Sequence, residues 1–119
     1  MKDRWKGVII SESLEEPNLI DDFEVFRAKI SKQDLDLGGG KRGRWHLYYV
    51  HATDSEISGL LGQIKPGWYC HFWRENSLVV VFPGKKFEML VNDQSTWKGA
   101  VEYGRSIGIA AEELSFPTE

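Results

Sequence analysis

His46, His51, His71 and the lone Cys70 are the side chains best suited to hold a soft metal or to carry nucleophilic chemistry. Three such ligands around an open position suit catalytic zinc. A thiolate beside an imidazole suits covalent catalysis. Their spacing matches no metal or nucleophile motif. Cys70 and His71 are neighbours, so on a strand they point to opposite faces. Cys70 then shares its face with Trp68 and Phe72, which predicts a buried, inert thiol. The expectation is histidines hydrogen-bonded within an aromatic sheet, with no catalytic residue, no metal and no cofactor.

A second chemistry is cationic. Lys41, Arg42 and Arg44 stand beside Trp45 and His46. Basic side chains on a glycine-rich connection next to aromatic strands suit a phosphate or a stacked base. Fifteen basic residues face eighteen acidic ones, giving a net charge of −3, so no global field draws a polyanion. Nucleic acid is therefore not the expected partner. Gly38, Gly40 and Gly43 have the dinucleotide-fingerprint spacing, but that motif needs a strand before it and a helix after it. Here a strand-like segment follows, and Arg44 and Trp45 occupy the places where a phosphate loop needs Lys and Ser or Thr. The segment 34–43 reads as a long, flexible connection between two adjacent antiparallel strands.

The elements that position these residues are legible in part. Residues 67–82, GWYCHFWRENSLVVVF, place two Trp, a Tyr, a Phe, a His and the only Cys in seven residues, then a turn and a β-branched run. This predicts a central β-hairpin, strands 68–73 and 77–82. Segment 5–14 reads as a first strand. Segment 17–22 reads as a short helix giving way to a strand over 23–31, with one helix across 18–32 as the alternative. Segment 45–52 is a strand with Trp45, Leu47, Tyr49 and His51 on one face. Thr53 and Glu56 form a capping box, and Ile57, Leu60, Leu61 and Ile64 recur at the spacing of a helix packed on a sheet. Pro83 and Gly84 suit a type II turn before a strand over 86–91. Asp93 offers an N-cap for a last helix in which Trp97, Ala100, Val101, Gly104 and Ile107 share a face, and Gly108 suits its end.

The resulting fold class is α+β: a mostly antiparallel sheet with helices on one face. Its ferredoxin-like βαββαβ core is extended by a C-terminal hairpin and helix. Residues 1–119 form one domain, as expected for this length. With 41% hydrophobic and 28% charged residues, the composition is that of a soluble globular protein. One cysteine excludes an internal disulfide and suits a reducing compartment. The start of the chain lacks a secretory apolar run, and no apolar stretch approaches membrane-spanning length. The expected location is cytoplasmic.

The words RWHLYYV at 44–50, GWYCHFW at 67–73, VVVFPGKKFE at 79–88 and STWKGAVEYGRSIGI at 95–109 resemble a family of small uncharacterised bacterial and archaeal proteins. Gly108, Ile109, Glu112 and Leu114 echo that family's ending, and the likeness spans nearly the whole chain. The glycine-rich segment 38–43 is longer than usual there. The resemblance implies no activity, cofactor or catalytic residue. The functional expectation is a non-enzymatic domain that binds a small molecule or a protein through an aromatic-rich sheet surface. The candidate residues are Trp45, His46, Trp68, His71 and Trp73 with Lys41, Arg42 and Arg44. The alternative is a small enzyme or metal-dependent catalyst using His46, His51 and His71.

Overall fold

Six segments rich in β-branched and aromatic residues become strands of one antiparallel sheet. The computed structural model describes residues 4–30, 46–109, 114 and 116. The strands are β1 (Trp5–Ile10), β2 (Glu24–Ile30), β3 (His46–Ala52), β4 (Cys70–Arg74), β5 (Ser77–Phe82) and β6 (Lys85–Leu90). They lie in the order β2-β3-β1-β4-β5-β6, each antiparallel to its neighbours. Two α-helices accompany them, α1 (Asp54–Gly59) and α2 (Lys98–Ser106).

Several expected boundaries shift for local reasons. The first strand stops at Ile10, where the Ser13 hydroxyl donates to the Ile10 carbonyl at 2.6 Å and folds the chain into a 3-10 turn. The 18–32 segment is not one helix. Pro17–Asp22 is a 3-10 turn closed by the Phe23 amide donating to the Ile20 carbonyl, and β2 follows. The first crossover therefore holds no α-helix, and the element order departs from βαββαβ at that point. The Thr53–Glu56 capping box forms in full, yet α1 tightens into a 3-10 turn over Leu60–Gly62. The last helix is likewise preceded by a 3-10 turn over Gln94–Trp97.

Register assigns every strand residue a face. Gly7 lies beside Val50 and Phe72, and Phe72 beside Val79, so these share a first face with Trp5 and Ile9. Val8, Tyr49, His51, His71, Val80 and Phe87 share the second. Over the first face lies α1, whose Asp54 accepts from Trp5 Nε1 at 2.6 Å. The 11–23 connection is tied to the segment after α1 by a Leu14–Ile64 bridge and by the Lys65 amide donating to the Ser13 carbonyl. Ile57, Leu60 and Ile64 are buried there as the apolar stripe predicts.

Under the second face lies α2. Its Tyr103 ring stands 5.2 Å from Phe82 and 5.6 Å from Phe87. A Cβ on Gly104 would come within 3.3 Å of Phe82. The two α-helices thus sit on opposite faces, which corrects the one-face expectation. The reason lies in the added hairpin: β5 and β6 present Phe82 and Phe87 to the second side, and the helix that follows β6 must bury them. The ring contacts of α2 are with Phe82 on β5 and Phe87 on β6, and the β1–β3–β2 half of the second face has no described helix over it.

Candidate functional site

That open half is built by a bulge. The β2–β3 register shifts between Val25 and Arg27, inserting Phe26 as an extra residue. A bulge re-aims a side chain, and here it turns Phe26 onto the second face beside Arg27. The Phe26 ring centre lies 4.6 Å from that of His51 and 6.3 Å from that of Tyr49. Arg27 Cζ stands 5.2 Å from the centre of the Tyr49 ring, and Lys29 Nζ stands 5.5 Å from it. Both distances are within the range in which a cation is drawn to a ring face. Lys6 flanks the cluster, paired in register with His51. Phe26 remains 40% exposed, an unusual setting for a large ring against two others.

The charge of this surface runs against that of the chain. Among the described residues Lys6, Arg27 and Lys29 share it with one carboxylate, Glu24, which is already in an ion pair with Arg4. The Arg4 side-chain hydrogen bond holds the Glu24 carboxyl below its ordinary range. A locally cationic, ring-lined surface thus sits on a protein of net charge −3.

A shallow groove of about 540 Å³ lies on the first face beyond α1, lined by Trp5, Asp54, Arg74, Ser77, Lys86 and Glu88 among others. The Arg74 guanidinium lies 4.3 Å from the Trp5 ring centre, and Asp54 takes the indole N–H, so two of the groove's polar side chains are engaged with Trp5.

The residues expected from sequence fare differently. Trp68, His71 and Trp73 are all less than 9% exposed. His71 and Trp73 pack together with ring centres 5.5 Å apart, and the Phe116 ring is 6.0 Å from His71. His46 is exposed: Glu12 accepts its backbone N–H at 2.9 Å and its ring Nδ1–H at 2.6 Å. Lys41, Arg42, Arg44 and Trp45, with the 34–43 connection, lie outside the described residues. The strands that this connection joins, β2 and β3, do pair antiparallel.

The three histidines do not converge. His46 and His51 point to opposite faces of β3, while His71 sits on β4 with β1 between, about two strand spacings or roughly 10 Å away. Among the described residues no three His, Cys, Asp or Glu side chains gather as a metal would need. Cys70 is 2% exposed, and burial pushes its thiol pKa far up, leaving no thiolate for nucleophilic work.

Phe26, Tyr49, Arg27 and Lys29 were not singled out from sequence. The available signal was an aromatic and basic alternation on two segments expected to form one hairpin. The bulge hid it, because strict alternation puts Phe26 opposite Arg27. No family model, no curated protein and no solved structure matches the chain. No helix among the described residues is long and apolar enough to cross a membrane.

Proposed function

We propose that this protein is a non-enzymatic binding domain whose ligand is a small planar anion held on the open half of the second face. The observation that carries the reading is the Phe26–His51–Tyr49 cluster with Arg27 and Lys29 beside its rings. An exposed ring offers a stacking surface, and nearby cations favour a negative substituent. The ligand's plane rests on Phe26 and its carboxylate or phosphate meets Arg27 or Lys29. The histidine-based catalyst gains no support, because its three imidazoles are dispersed.

Two finer assignments belong to the same proposal. Strands β1 to β4 read as a ferredoxin-like unit, supported by their order β2-β3-β1-β4 and their antiparallel pairing. The lone buried thiol is in keeping with a cytoplasmic location. Membership of the family whose motifs the chain resembles is a proposal too, and it supplies no activity.

The test is a titration followed by amide NMR, with 1-naphthoate as the planar anion and 1-naphthalenemethanol as its uncharged counterpart. Naphthoate should give saturable shifts at Phe26, Arg27, Tyr49 and His51, and the alcohol should bind roughly tenfold more weakly. Tyr49→Ala should lose most of the effect. Absence of shifts at millimolar probe, or shifts confined to the Trp5–Arg74 groove, would overturn the reading.

A further inference from the structure

The outer edge of β2 is the most exposed strand in the sheet. Every residue from Glu24 to Ile30 is exposed. Val25, Phe26 and Ile30, at 40%, 40% and 52% exposure, are three of the four exposed large hydrophobic residues among those described. No described strand pairs with that edge. Edge strands are normally blunted by proline, by charge or by cover, because their free donors and acceptors template another strand. β2 has no proline, and its charges are arranged for pairing.

The bulge makes this edge self-complementary. Glu24, Arg27 and Lys29 oppose His51, Tyr49 and Leu47, which places them on the second face with Phe26. Val25 and Ala28 oppose Val50 and Tyr48, on the first face. From 24 to 29 the faces therefore read second, first, second, second, first, second. A strictly alternating strand of even length never reads the same in both directions. This one does, about the point between Phe26 and Arg27.

From this palindrome we infer that the protein self-associates, β2 pairing antiparallel with β2 of a second copy across a two-fold axis at that point. Each copy's Glu24 then faces Lys29 of the other, its Val25 faces Ala28, and its Phe26 faces Arg27. Each pair shares a face, and opposite charges and cation–ring contacts are the favourable cross-strand combinations. A register centred on Arg27 fails: it opposes the two arginines and sets Val25 against Lys29 on the wrong face. The two-fold arrangement is the isologous contact usual for homodimers. It turns two sheets into one continuous twelve-stranded sheet, from six strands in each copy. The inference does not depend on any ligand.

Sedimentation equilibrium on the full chain tests it. The pairing is smaller than a standard interface, so the dimer should appear between roughly 10 µM and 1 mM, with a mass twice the 13.7 kDa of one chain. Glu24→Lys or Lys29→Glu alone should weaken association by roughly tenfold or more, since each turns two attractive cross-strand pairs into repulsive ones. Combining Glu24→Lys with Lys29→Glu restores both pairs and should recover most of the affinity. Both side chains are exposed, so circular dichroism should show the fold intact in every variant. A monomer throughout that range, a dimer indifferent to the single changes, or a double variant no better than the singles would overturn the inference. The two readings share Phe26, Arg27 and Lys29, but the sedimentation runs hold no naphthoate, so failure of the ligand reading leaves this one standing.

Discussion

β2 and β6 close the two ends of one sheet, and they treat their free edges differently. At β6 the exposed positions are Lys85, Lys86, Glu88 and Leu90, and the three charges among them discourage a further strand. Its last residue, Leu90, has both backbone groups occupied: Thr96 Oγ1 accepts its amide at 3.0 Å, and Trp97 Nε1 donates to its carbonyl at 2.7 Å. The Asn76 side chain then clips the start of the next segment, accepting from the Asn92 amide and donating to its side chain. At β2 the edge instead offers Val25, Phe26 and Ile30, bent outward by a bulge. The pinned edge adjoins strands whose second face packs against α2, and the β2 edge adjoins the half that has no described helix over that face. Cover and edge protection go together.

The largest expected effect separates the two halves by stability. Phe82 is fully buried and packs against Tyr69, Phe87 and Tyr103. Phe82→Ala should destabilise the protein by about 3–5 kcal/mol, whereas Phe26→Ala, in the open half, should cost less than about 1 kcal/mol. Chemical denaturation of both variants compares them directly. Equal losses would mean that the open half is core after all.

A smaller effect should follow from crowding α2. A Cβ at Gly104 would come within 2.7 Å of Leu114 and 3.3 Å of Phe82. The glycine is what lets the helix approach the sheet so closely. Gly104→Ala should cost about 1–3 kcal/mol by overpacking. An unchanged midpoint would show that the cover over the β4–β6 half is loose, and the contrast between halves would weaken.

Removing the pin at β6 should matter less again. Thr96→Ala frees the Leu90 amide in an exposed setting where water can replace the hydroxyl, at a cost of about 0.5–1.5 kcal/mol. Its sharper consequence is local. Amide exchange at Leu90 should quicken while β4 and β5 stay protected. Uniform quickening across the sheet would deny that the edge is separately fastened.

Much of this architecture was readable from residue type. β-Branched and aromatic content, turn signals and, over 23–31 and 45–52, alternation pointed to the six strands, with a helix over 18–32 left as an alternative; the capping box at Thr53 and Glu56 formed, and the glycines at 84 and 108 adopt the positive φ of 73° and 98° that their turns require. The α+β antiparallel class followed from those elements. The candidate site was far less readable. Trp68, His71 and Trp73 have the composition of a binding shelf, yet residue type does not say whether a helix lies over them. For His71 it is the packing of Trp73 and Phe116 against its ring that makes it core. Phe26 was hidden for the opposite reason: a one-residue bulge changes which face a side chain takes, and nothing in EVFRAKI announces one. Helix length was misjudged at α1 because the apolar stripe over Ile57, Leu60 and Ile64 survives a change from α to 3-10 winding.

The smallest effect concerns how the open half is fastened where β3 begins. Glu12, on the 3-10 turn after β1, grips His46 through the backbone amide at 2.9 Å and the ring at 2.6 Å. Partial burial works against its charged form, but the His46 hydrogen bonds outweigh that, and the Glu12 carboxyl titrates below its ordinary value of 4.5. Folding therefore favours the deprotonated group. The stabilisation is complete above about pH 4.5, where the unfolded chain is also ionised, and is lost as the pH falls through the lower folded value. The carboxylate is partly solvated, so its worth is below about 1 kcal/mol. Glu12→Gln keeps an oxygen for the amide but has no charge to lose. The stability difference between wild type and this variant should shrink as the pH falls below about 4.5 and through the lower folded value. A difference that grows on acidification would reverse the sign of the linkage. One that stays constant would reduce the grip on His46 to a neutral hydrogen bond, leaving β3 in the open half without the electrostatic fastening described here.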